Sequence, residues 1–146
     1  MSGIRVYIPV DAGDLALLAD TGTIDTAGRF GYAVTAPLLA TLPEADRDER
    51  EYAAFLDAAL AAAGAATRSA STPALRRRVI ASADLLSGAV EETGAGTQVR
   101  LTGVLQLTAI AAFHVDASPG GASEDLLWYD VSELPEVLGL ARGVDQ

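Results

Sequence analysis

The chain reads as α+β, loosely α/β: one mixed β-sheet of about five or six strands with helices packed on it. Three observations predict this. Short apolar segments of strand character recur from IRVYI near the start to LLWY near the end. One long stretch, Tyr52 to Ala63, has its apolar residues at helical intervals. The order begins strand–helix–strand–helix and closes rich in strands, so at least one parallel, right-handed crossover is expected. At 146 residues, with no internal repeat, the chain is read as a single domain over 1–146.

Ile4 to Ile8 alternates and stops at Pro9, the first strand. Asp11 or Asp14 caps a helix that shows Leu15, Leu18 and Ala19 to the core and ends at Thr21-Gly22. Residues 22–28 read as loop. Phe30 to Thr35 is a second strand, and Pro37 to Leu42 a helical turn closed by Pro43. Asp46 and Glu49 then have capping-box spacing, and acids fill the first turn of the long helix. Tyr52, Phe55, Leu56, Ala59, Leu60 and Ala63 mark its expected buried face, and Gly64 its end. Burial of Phe55, Leu56 and Leu60 is expected to contribute about 1.5–3 kcal/mol each. On that reading Leu56→Asp is ruinous.

Ala65 to Pro73 is small and polar, a loop. Val79 to Ala83 is a buried strand entered through Arg76-Arg77-Arg78. The Gly- and Thr-rich segment 85–98 is the candidate mobile loop. Val99 to Leu101 is a strand. Leu105 to Ile110 is a tight helical turn feeding a strand over 111–116, and Ser118-Pro119-Gly120-Gly121 is a turn. Leu126 to Tyr129 fits a strand or a helix. Pro135 favours the strand, because proline suits the first turn of a short helix over Glu133–Leu138 better than the middle of a long one. Residues 141–146 are expected to fray.

Composition excludes several chemistries. There is no cysteine, so disulfides and thiol catalysis are excluded. All ten basic residues are arginine, which removes lysine Schiff bases and Walker-type lysines. A single histidine cannot build a multi-histidine metal site in one chain. The net charge of −10 disfavours nucleic acid, and no apolar run reaches the roughly 18 residues of a membrane span. MSGIRVYIPV lacks the pattern of a signal peptide, so a cytoplasmic location is expected. No cofactor is expected.

Four aspartates follow predicted strands: Asp11, Asp84, Asp116 and Asp130. Aspartate there ordinarily starts a turn or caps a helix. The functional alternative gathers Asp84, Asp116 and Asp130 on one sheet edge with His114 nearby, where they would hold Mg²⁺ or Mn²⁺ in an enzyme or sensor. His114 and Asp116 share a face of their strand, the spacing of a general-base pair, with Ser82, Ser118 or Ser123 as nucleophile. No serine stands in a G-x-S-x-G elbow. The glycines of 94–96 and 120–121 lack phosphate-loop spacing. The arginine run is read as neutralising acidic neighbours before binding a phosphate or acidic partner. Trp128 and Tyr129 are read first as core residues and second as interface anchors.

IRVYIP, EREYAAFLDAA, RRRVIASAD, AAFHVD and the ELP that follows LLWY together resemble a family of short actinobacterial proteins built on a domain of unknown function. The resemblance spans nearly the whole chain and implies one compact cytoplasmic domain, with no catalytic residue to carry over. The reading that follows is a non-enzymatic interaction or accessory domain, with a protein partner or a second copy of itself as a homodimer.

Overall fold

A computed structural model describes residues 3–70, 72–121 and 125–143. Among the described residues the chain forms nine strands and four α-helices. In order these are β1 (Gly3–Pro9), α1 (Ala12–Thr21), β2 (Thr23–Asp25), β3 (Phe30–Tyr32), α2 (Ala36–Thr41) and α3 (Arg47–Ala66). Then come β4 (Val79–Leu86), β5 (Val90–Glu92), β6 (Gln98–Leu101), β7 (Val104–Gln106), β8 (Ile110–Asp116), β9 (Leu126–Asp130) and α4 (Leu134–Ala141). Seven strands make one sheet in the order β5-β6-β3-β1-β4-β8-β9, and β2 and β7 form a separate ribbon.

The class is α+β, with more strands than expected. The extra ones, β2, β5 and β7, have three residues each. A three-residue strand is too short for its alternation to show. Thr23 pairs with Gln106, and Val90 at the start of β5 pairs with Leu101. Part of the 85–98 segment is therefore sheet. Hydrogen-bonded neighbours in both sheets are antiparallel, not mixed. The parallel crossover survives in split form. β3 and β4, joined through α2 and α3, are both antiparallel to β1, so they run the same way with β1 between them.

Helices cover both faces of the main sheet. On one side Val6, Ile8, Val79, Ala81, Phe113 and Val115 pack into a core completed by Leu15 and Leu18 of α1 and Val137 of α4. On the other, Tyr7 and Ile80 meet Ala54, Ala58 and Ala62 of α3. Burial on both faces is why VIASA and AAFHV read as nearly continuous apolar runs. In α1, Asp11 accepts from the Asp14 backbone N–H at 2.9 Å while its own N–H donates to the Asp14 carboxylate at 3.0 Å. Gly22 closes that helix at φ 77°, the left-handed position glycine takes without strain. Ala19, expected in the buried face, is exposed. Gly31 is required for another reason: a Cβ there would lie 2.6 Å from Cγ1 of Val6.

α3 begins as expected, with Asp46 accepting from the Glu49 N–H at 2.9 Å. Its buried face differs from the expected one. Ala54, Ala58, Ala59, Ala62, Ala65 and Ala66 are buried, the first four against the sheet, while Phe55 is half-buried and Leu56 is exposed. Tyr52 is 61% exposed and Leu60 76%. Small side chains let the helix approach a sheet face whose bulk comes from Tyr7 and Ile80, so leucine is excluded from the contact and alanine fits it. Leu56→Asp therefore loses its expected severity. Gly64 lies within the helix, which runs on to Ala66.

β9 is a strand, at the edge of the sheet. Pro135 stands in the first turn of α4, which runs from Leu134 to Ala141 and so extends beyond the expected end at Leu138. Of the tail, 144–146 lie outside the described residues.

Candidate functional site

On the face under α3, alternation along β1, β4 and β8 presents Arg5 and Tyr7, then Ser82 and Asp84, then His114 and Asp116. Ile80 lies opposite His114 and Ser82 opposite Ala112, and the β4–β8 register shifts just past Ser82. This brings Ser82 Oγ to 2.5 Å from His114 Nε2. The histidine ring packs edge-on to Phe55, with centroids 5.0 Å apart, and Phe55 in turn meets Tyr7 edge-on at 5.5 Å. Tyr52 and Trp128 flank the opening of an open cleft of about 570 Å³ between α3 and the sheet. Asp48 and Glu51 of α3 also line it.

Arg5 crosses to Asp84, donating from Nε at 2.7 Å and Nη2 at 3.1 Å. The hydrogen bonds from Arg5 hold the Asp84 carboxyl below its usual range. Burial, then the charge of Arg5, pushes the His114 imidazole down to about 4, so it is neutral at neutral pH. Burial, then Glu51, pushes the Tyr7 phenol up.

The low histidine value has a consequence for stability. Unfolded, the imidazole titrates near 6.5; folded, at about 4. Protons then bind preferentially to the unfolded chain between those values. The contribution is whole above pH 6.5 and is lost as pH falls toward 4. After allowance for the ring's remaining hydration it is about 2 kcal/mol. Urea melts across this window should show His114→Gln, which cannot titrate, losing less stability than the native chain. Parallel slopes for the two proteins would contradict the burial argument.

The sequence candidates fall apart in space. Asp116 shares a face with His114 but is held by Arg78. Nη2 of Arg78 donates to Oδ1 at 2.8 Å, Nε to Oδ2 at 3.0 Å and the backbone N–H to Oδ2 at 2.7 Å. No His–Asp relay forms. Asp130 caps the turn into α4, accepting from the Ser132 N–H at 2.9 Å, and Asp11 caps α1. Because β4, β8 and β9 alternate in direction, Asp84 and Asp130 lie toward one end of the sheet and Asp116 at the other. Among the described residues no three acidic or histidine side chains group as metal ligands. Ser118 follows β8 in an exposed bend, and Ser123 lies outside the described residues.

Of the arginine run, Arg78 does neutralise an acidic neighbour, and Nε of Arg76 donates to the Ala70 carbonyl at 2.9 Å. Among the described residues, Nε of Arg77 is buried without a hydrogen-bond partner. Tyr129 packs against the larger core, whereas Trp128 is 62% exposed, contrary to its expected place in the core. Sequence reasoning missed Arg5, Tyr7 and Glu51 as cleft residues. One signal existed: Arg5 interrupts an apolar strand at a position that must face the other side.

Fold and site together define an antiparallel α+β domain with a cleft between one helix and the sheet. The chain belongs to the DUF6912 family, a family of unknown function, whose model matches residues 4–138. No curated protein and no solved structure matches it. Among the described residues no helix is long and apolar enough to cross a membrane.

Proposed function

We propose that this chain is a non-catalytic interaction domain that pairs with a second copy of itself through the outer side of α3 and the adjoining edge strand β9. The observation that carries this is the inverted helix: α3 buries alanines and leaves Tyr52, Leu56 and Leu60 exposed, one turn apart. Single exposed leucines are ordinary; a run of large apolar side chains along one helix, with Trp128 exposed on the sheet edge, is the kind of patch that associates. Uncharged apolar groups complement their own kind, as a two-fold interface requires. Covering Leu60 alone contributes about 1.5–3 kcal/mol.

Catalysis is disfavoured by the same geometry. Ser82 is buried in mid-strand, and among the described residues no carboxylate hydrogen-bonds to His114 to orient it. In this reading the domain works in the cytoplasm, and its charge of −10 sets it against phosphate-rich nucleic acid or lipid surfaces. Light scattering over a concentration series should give a dimer for the native chain. Leu60→Glu should give a folded monomer, whose unfolding free energy stays within about 0.5 kcal/mol of the native chain's at a dilution where that chain is also monomeric. A native chain that remains monomeric at the highest concentration overturns the proposal.

A further inference from the structure

We infer that the cleft between the first half of α3 and the sheet binds an organic ammonium ion with an apolar body. Three features argue for it. The walls are aromatic: Tyr52 and Phe55 lie nearly parallel with centroids 6.5 Å apart, Tyr7 meets Phe55 edge-on, and Trp128 stands at the mouth. Aromatic faces attract organic cations and bury their hydrocarbon parts. Next, Asp48 and Glu51 stand one helical turn apart on the same wall. Among the described residues Glu51 pairs with the exposed Arg47 at 3.4 Å, a weak contact, and its charge also reaches Arg5 and Tyr7. Finally, the cationic side chain in the cleft, Arg5, is already neutralised by Asp84 through two hydrogen bonds. The lining therefore carries net negative charge around an aromatic box.

Other groups on the walls agree with this. His114, at about 4, is neutral and does not repel a cation. The raised phenol of Tyr7 reports the negative field of Glu51 after burial itself. An anionic ligand would have to displace Asp84 from Arg5 and approach two carboxylates. A cleft of about 570 Å³ accommodates a small amine with a ring or short chain.

Benzyltrimethylammonium is the probe, titrated into the full chain while the emission of Trp128, the single tryptophan, is followed. A saturable change is expected, with its midpoint raised roughly tenfold in the Asp48→Asn/Glu51→Gln double variant. Circular dichroism melts establish that this variant is folded. Benzyl alcohol and benzoate, which keep the ring and change the charge, should bind more weakly than the ammonium probe. Equal responses to all three, no saturable response, or a double variant that binds as tightly as the native chain would overturn the inference. Leu60→Glu, which separates the copies and uncovers Tyr52 and Trp128, should bind at least as tightly as the native chain. Loss of binding there would overturn the assignment to a cleft of the single chain while leaving self-association standing.

Discussion

Arg78→Ala is expected to lower the unfolding free energy by about 3–5 kcal/mol, because it leaves a buried carboxylate without its counter-charge. The Asp116 side chain is 2% exposed, and Arg78 supplies a two-pronged guanidinium contact as well as a backbone N–H. A domain of this size has roughly 5–15 kcal/mol in total, so the variant would approach the unfolding threshold. The double variant Arg78→Met/Asp116→Leu removes both charges and should recover most of the loss. Urea denaturation of the two proteins is the measurement. A single-variant loss under about 1 kcal/mol would mean that water reaches the carboxylate and that the pair behaves as a surface bridge.

Phe113→Ala should cost a similar amount, about 3–5 kcal/mol. Phe113 is fully buried on β8, with neighbours in the core shared with α1 and α4. The cavity left there cannot collapse easily, since β8 is paired on both sides, to β4 and to β9. The informative contrast is Leu56→Asp, the change that a leucine-faced helix would not tolerate. With Leu56 exposed on the single chain, that substitution should cost under about 1 kcal/mol at a dilution where both proteins are monomeric. If Leu56→Asp unfolds the protein while Phe113→Ala is mild, α3 faces the other way and the description of the fold fails.

The contrast also shows which parts of this architecture were legible in the sequence. Val79–Ala83 and Ala111–Asp116 announce themselves because strands buried on both faces are apolar throughout. The existence and start of α3 follow from Asp46, Glu49 and the alanine content. Its orientation does not follow, because a hydrophobic pattern favours leucine over alanine for burial, and only the bulk of Tyr7 and Ile80 opposite decides that alanine goes in. Ser82 and His114 could be nominated as a pair from their residue types. That they meet, and that Asp116 is drawn away to Arg78, depends on the β4–β8 register and its irregularity at Ser82. The cleft needs β1 beside β4, with Arg5 opposite Asp84, a long-range pairing that no local pattern encodes.

That long-range pairing also bears on how the chain folds. The strand in the middle of the sheet comes from the very beginning of the described chain, and it is zipped end to end against a strand far downstream: Gly3 sits across from Leu86 and Pro9 from Ile80. A large loop must close before any of those hydrogen bonds form, and α3 lies inside that loop. Such a topology, rich in contacts between distant residues, belongs with domains that fold over milliseconds to seconds, not microseconds. Until the two segments meet, the apolar flanks of β4 and β8 stay open to neighbouring molecules, so refolding yield should fall as protein concentration rises.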